Sequence, residues 1–194
     1  MKAILRTQLY NSISSMVQQF KAHVWPILEG SNGAIFHAAS SYLKPLDDIQ
    51  SSFLLALGIS ERDAFLEHNM APLGLRRDIG ALGLLHKITL GASHPAFRSL
   101  LPAADRTNVP RYVTRDAAKL HNKTFYDRSA GSHLSAMKRS IFAAVRVHNR
   151  LPQLCVDAET VSGFQRSVTE IARTACRARK CEWQRIFQVQ ARSC

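Results

Sequence analysis

The sequence predicts an all-α fold, an irregular bundle of about seven helices with a long basic loop near 102–131. Three observations predict it. Apolar residues recur at three- and four-residue spacing almost throughout. Strand-like alternation is scarce. Glycine and proline fall mostly at the ends of the apolar stripes rather than within them. The 194 residues are 46% apolar and 21% charged, which suits a buried core and excludes wholesale disorder.

The elements follow in order. Ile13, Val17, Phe20, Val24 and Leu28 line one face of a first helix that Gly30 closes. Pro26 bends or divides it, because the ring removes an N–H and crowds the preceding turn. A short helix is expected over Ala34–Ser40. The next carries Leu43, Leu46, Ile49, Phe53, Leu54 and Leu57 as one stripe, with Pro45 in its first turn and Gly58 as its stop. Ser60 caps a further helix whose first turn holds Glu61 and Asp63. After Pro72 and Gly74, the segment Leu75–Leu90 turns Ile79, Leu82, Leu85 and Ile88 inward, and Gly91 ends it. Gly80 and Gly83 on this helix would let a neighbouring helix approach closely.

From Pro102 to Gly131 apolar residues thin out, and eight Lys/Arg stand between Arg106 and Arg139. So long an irregular connection is usually functional or disordered; a short extended piece near Tyr112–Val113 fits within it. A helix from Lys138 then stops at Asn149-Arg150-Leu151-Pro152. A short apolar link and a polar restart at Asp157–Thr160 lead to a last helix, entered through Phe164 and running towards Gln190 with Val168, Ile171, Ala175, Ile186 and Phe187 on its apolar side. Three parts result: a helical subdomain over 1–100, the basic loop over 101–133, and a basic helical subdomain over 134–194.

Charge is unevenly spread. The net of +12 divides into 9 Lys/Arg against 7 Asp/Glu before residue 101, and 17 against 7 after it. A basic half of this kind attracts phosphate backbones, anionic membrane surfaces or acidic proteins. The favoured partner is RNA or DNA. Arg139, Arg146 and Arg150 share one side of their helix by spacing. Arg166, Arg173, Arg177 and Lys180 form a second stripe on the last helix, interrupted by Glu170. Arg111, Arg115, Lys119 and Lys123 populate the loop, where Tyr112, Phe125 and Tyr126 could stack on unpaired bases. Arg76 and Arg77 oppose the dipole at the start of a helix; they either reach a phosphate or pair with acids such as Asp47 or Glu67. The bland alternative makes the stripes solvated faces and the aromatics core.

No catalytic constellation is complete. Asp47-Asp48 suggests a two-metal carboxylate pair, but it opens an amphipathic helix and lacks a third carboxylate upstream, so it is read as complementing a helix N-terminus. Glu61, Asp63, Glu67 and His68 do not converge at helical spacing and are read as a solvated face. His37, His86 and His121 are scattered. Cys155, Cys176, Cys181 and Cys194 lack a following histidine to close a zinc knuckle and are read as reduced thiols of an intracellular protein, nuclear or cytoplasmic. The Ser-rich, acid-free first 28 residues faintly suggest a transit peptide, though a first helix explains them better. No apolar run reaches the ~20 residues of a membrane span. No cofactor or metal is expected, and the chain is not expected to be an enzyme by itself.

The order Arg…Asn149-Arg150-Leu151-Pro152…Val156-Asp157-Ala158-Glu159-Thr160-Val161…Phe164 resembles the segment that follows the polymerase domain in non-LTR (LINE-like) retrotransposon reverse transcriptases. The strings VWPILEGSNGAIFHAA, LKPLDDIQSSFLLALGI and APLGLRRDIGALGLLHKI come in the order found in those tails, so the resemblance covers roughly Lys21 to Phe164. Where the family usually has an aromatic or apolar residue before Asn-x-Leu-Pro, this chain has His148. The resemblance implies a non-catalytic accessory segment of an RNA-directed DNA polymerase polyprotein. Its partner would be an upstream reverse transcriptase domain, with element RNA or target DNA held near it. The start at Met1 on helical sequence agrees with a fragment or a decayed copy. The alternative is a structural or protein-interaction helical module, an inert relic included.

Overall fold

A computed structural model describes residues 2–6, 12–30, 38–104, 121–128 and 140–188. The architecture is all-α, and the number of helices lies near that expected. Among the described residues the only β-type pairing is an isolated antiparallel bridge between Ala103 and Phe125. The chain forms two compact units, one of residues 1–77 and 172–186, the other of 78–171 and 187–194. These units are discontinuous in sequence, unlike the three consecutive parts expected from composition. Two of the three boundaries, 77/78 and 171/172, fall inside long helices, Leu73–Thr89 and Val161–Arg177, and the third follows residue 186.

The first unit holds α1 (Lys2–Arg6), α2 (Ile13–His23), α3 (Trp25–Glu29), α4 (Ser40–Leu57) and α5 (Glu61–His68). Ser12 caps α2 by accepting from Ser15 N–H at 3.2 Å. The expected first helix is divided into α2 and α3 at Val24, because Pro26 in the first turn of α3 offers no N–H to continue the ladder. Met16, Val17, Phe20, Trp25, Leu28, Phe53, Leu54 and Leu57 meet in one apolar core. There Phe20 stacks on Phe53 at 4.3 Å, worth ~0.5–1.5 kcal/mol beyond the area buried.

Two expectations for α4 need correction. The helix begins at Ser40, so Pro45 lies inside it rather than in its first turn, and Asp47 and Asp48 are well past the N-terminus. Their carboxylates are instead paired with Arg77 and Lys44. Gly58 ends α4 with φ +69°, donating to Leu54 and Leu55 carbonyls, as expected of a glycine stop. Ser60 caps α5 through Asp63 N–H at 3.1 Å, also as expected. The expected helix over Ala34–Ser40 lies largely outside the described residues.

The second unit takes most of α6 (Leu73–Thr89), α7 (Pro95–Leu100), α8 (Ile141–His148), α9 (Gln153–Val156) and the larger part of α10 (Val161–Arg177). Ile79, Leu82, Leu85 and Ile88 of α6 are buried as their spacing requires. A Cβ on Gly83 would meet Gln165 at 2.5 Å, so close approach is real there. Gly80 has nothing within 4 Å and plays no such part. The link expected after Pro152 is the one-turn helix α9.

α10 departs furthest from its expected span. It ends at Arg177 rather than running towards Gln190. Arg179 N–H donates to Cys176 and Lys180 N–H to Ala175, both at 3.1 Å, with Arg179 at φ +52°. This is a Schellman stop with arginine where glycine is usual. A short 3₁₀ turn, Trp183–Arg185, follows, and Trp183 stacks on Phe65 at 5.4 Å in the core of the first unit.

Candidate nucleic-acid interface

The structure sorts the expected basic residues by what their charged groups touch. Arg77 is 6% exposed and donates Nη2 to both Asp47 oxygens at 2.8 Å. Arg76 binds Glu29 through two nitrogens, Nη2 to Oε2 at 2.7 Å, and lies over the Trp25 ring at 3.9 Å. Both arginines are therefore structural ion-pair residues. The question left open by their position at a helix start is answered by carboxylates, one of them Asp47.

Trp25 anchors this cluster. Its Nε1–H donates to Gln50 Oε1 at 2.9 Å, and Gln50 Nε2 donates to Ala71 O at 3.0 Å, so the buried amide is satisfied on both ends. Lys21 also lies over the Trp25 ring, at 5.6 Å, and donates to His68 O. Burial, then the Arg76 charge, pulls the Lys21 pKa below its ordinary value.

Two further candidates are turned inward in the second unit. Arg146 pairs with Asp127 at 3.2 Å, and Lys123 Nζ donates to Val156 O at 2.8 Å. Sequence could not show this, because both partners are distant along the chain. Arg111, Tyr112, Arg115, Lys119 and Arg139 lie outside the described residues, as does the extended piece proposed near Tyr112–Val113. Phe125 is buried and Tyr126 is exposed, so of these two aromatics only Tyr126 is open to stacking.

What remains outward is concentrated late in the chain. Arg150 and Arg166 are exposed in the second unit without an ion pair among the described residues. In the first unit, the stretch 172–186 holds Arg173, Arg177, Arg179, Lys180 and Arg185 against the single acid Glu182. Arg173 is half-buried, donating to Asn69 Oδ1 at 2.6 Å and lying over Phe65 at 5.6 Å. Arg177, Arg179, Lys180 and Arg185 are exposed and carry no ion pair among the described residues. Arg179 and Arg185 lie off the stripe that a continuous helix would set through Arg166, Arg173, Arg177 and Lys180, so helical spacing does not single them out. Beneath them Cys176 is buried, and burial raises its thiol pKa, which keeps it protonated and inert.

The motif singled out in the sequence has a different task. Asn149 of the Asn-x-Leu-Pro stop grips the peptide of Phe125: Phe125 N–H donates to Oδ1 at 3.0 Å, and Nδ2 donates to Phe125 O at 2.8 Å. His121 Nδ1 accepts from Lys123 N–H at 3.1 Å, so its Nε2 carries the proton donated to His148 O at 2.8 Å. Gln153 and Asn122 exchange bonds at 2.9 and 3.1 Å. Residues 121–128 are thus stapled to the α8–α9 corner.

His148 stands directly before the Asn-x-Leu-Pro stop and packs as a ring. It is fully buried, with ring centroids 5.1 Å from His121, 5.3 Å from Phe125 and 6.0 Å from Phe164. Neither ring nitrogen makes a well-formed hydrogen bond. Burial, then the neighbouring His121 and His86, pushes its pKa down to about 3 against a weak opposing contact with Asn149. His86 stacks on Phe164 at 4.2 Å and contacts Ala158 O at 2.9 Å; burial lowers its pKa as well. His148 thus serves as a neutral ring in this cluster. Among the described residues no group of His, Cys, Asp or Glu is arranged to hold a metal ion, and no helix is long and apolar enough to cross a membrane. No protein-family model, curated protein or solved structure matches the chain.

Proposed function

We propose that this chain is a non-catalytic nucleic-acid-binding segment, an accessory part resembling the tail of a non-LTR retrotransposon reverse transcriptase that positions element RNA or target DNA. The observation that carries this reading is the cluster Arg177, Arg179, Lys180 and Arg185, exposed and without ion pairs among the described residues. Arg179 adds weight. An arginine at φ +52° is strained by ~1–2 kcal/mol relative to glycine, a penalty that a purely structural stop would avoid. Arg177 also complements the negative end of α10, but the three cations beyond the helix are not needed for that.

The test is binding to single-stranded RNA and to duplex DNA across a salt series. Each duplex phosphate neutralised steepens the dependence by ~0.9 log units per log unit of salt. The variant Arg177→Glu/Lys180→Glu is expected to weaken binding at low salt and flatten the slope by roughly two contacts' worth. Absent or salt-independent binding by the wild-type chain would replace this reading with that of a helical protein-interaction module.

A further inference from the structure

Resting on the nucleic-acid reading, we propose that Tyr126, with Arg128, Arg98 and Phe97, forms a platform for unpaired bases, so that the second unit takes single-stranded rather than duplex nucleic acid. The platform is built by the bridge at Ala103–Phe125. Tyr126 N–H donates to Pro102 O at 3.0 Å and Ala104 N–H to Thr124 O at 2.8 Å. On the other edge of Phe125, Asn149 supplies the two bonds a third strand would make. Both edges of this short extended piece are occupied, so its backbone is held on two sides. Successive residues of an extended piece face opposite ways, which sends Phe125 into the core and Tyr126 outward. Tyr126 is 61% exposed.

The neighbouring chain adds what a base and its phosphate need. Arg128 is exposed and reaches Ser99 O at 3.4 Å, which brings it to α7. No residue of α7 is buried; Phe97 and Leu100, three apart on one face, are 37% and 49% exposed. Arg98 is held by Gly91 O at 2.9 Å, a neutral acceptor, and carries no ion pair among the described residues. Across 89–104 and 121–128 the single carboxylate is Asp127, already paired with Arg146. An exposed ring with Arg128 two residues on, and with Arg98 on the helix that Arg128 reaches, suits a stacked base with an adjacent phosphate. A duplex hides its base faces and would gain only from the cations.

The test uses the full chain with a single-stranded oligouridylate, its deoxy counterpart and a duplex of equal length, read by anisotropy, with a 2-aminopurine-labelled strand reporting stacking. Tyr126→Ala is expected to lower single-strand affinity about tenfold and abolish the 2-aminopurine quench, while duplex affinity and Tm stay as in wild type. Tyr126→Phe is expected to keep both signals, since the ring and not the hydroxyl does the stacking. Arg98→Ala/Arg128→Ala should weaken single-strand binding and its salt slope together. If Tyr126→Ala binds single strands as wild type does while salt-dependent binding persists, the platform is overturned and the nucleic-acid reading stands. If wild type binds neither strand form at low salt, both fall. Self-association of the free chain that Tyr126→Ala abolishes would assign the surface to a second copy and overturn the platform.

Discussion

The side-chain amide of Asn149 takes both hydrogen bonds of the Phe125 peptide, at 3.0 and 2.8 Å, and so substitutes for a neighbouring β-strand. Phe125 is buried, which leaves its backbone groups no alternative partner in water. Asn149→Ala is therefore expected to destabilise the chain by about 2–3 kcal/mol in urea unfolding. Asn149→Asp should do no better, since a carboxylate keeps the acceptor but faces the Phe125 carbonyl without a donor. An Asp variant as stable as wild type would show that the Nδ2 bond is dispensable.

His148 makes stability depend on pH with a definite sign. Its folded pKa of about 3 lies below the ordinary 6.5, so protons favour the unfolded chain between those values. The contribution is whole above pH 6.5 and is lost as pH falls towards 3. At pH 5 the loss is about 2 kcal/mol. His148→Phe, which places a true aromatic beside Phe125 and Phe164, should unfold with a flatter acid limb and gain about that much on wild type at pH 5. Parallel pH profiles for the two proteins would exclude His148 as the source.

Among the described residues Asp47 is the one carboxylate paired with Arg77, at 2.8 Å. Asp47→Ala should cost about 2 kcal/mol, less than for a wholly buried pair because the carboxylate keeps some contact with solvent. Asp47→Leu/Arg77→Met should recover most of that loss. Neither variant should alter nucleic-acid affinity once folded, which anisotropy at matched folded fraction would check.

Arg179→Gly separates stability from binding. Glycine relieves the positive φ at the Schellman stop and should raise stability by about 1 kcal/mol. The same substitution removes one exposed cation and should weaken RNA binding. A variant that gains stability and binds equally well would remove Arg179 from the interface.

Much of the fold is legible in the sequence because helix stripes and stops are local. The Leu82, Leu85 and Ile88 face, the Ser60 cap and the Gly58 stop each need only a few neighbouring residues to be read. The end of α10 is not legible, since Arg179 adopts a conformation that composition assigns to glycine or asparagine. The start of α4 is hidden for the opposite reason, a proline tolerated inside a helix. The candidate interface is half legible. Charge excess points to the part of the chain where exposed cations without ion pairs among the described residues are found, but which guanidinium groups are neutralised depends on remote carboxylates. Arg146 and Asp127 lie nineteen residues apart, and Arg76 and Glu29 forty-seven. No short-range pattern joins such pairs. The part played by His148 is hidden as well, because only its surroundings distinguish a titrating imidazole from a neutral ring.

The Ala104–Thr124 hydrogen bond, at 2.8 Å, also gives the corner around Phe125 an isotopic signature. The amide hydrogens of Ala104, Phe125 and Tyr126 are held by Thr124 O, Asn149 Oδ1 and Pro102 O, partners that lie twenty or more residues away along the chain. Such amides exchange with deuterium only when the segments that hold them part, so all three should report the opening of this corner as a single event.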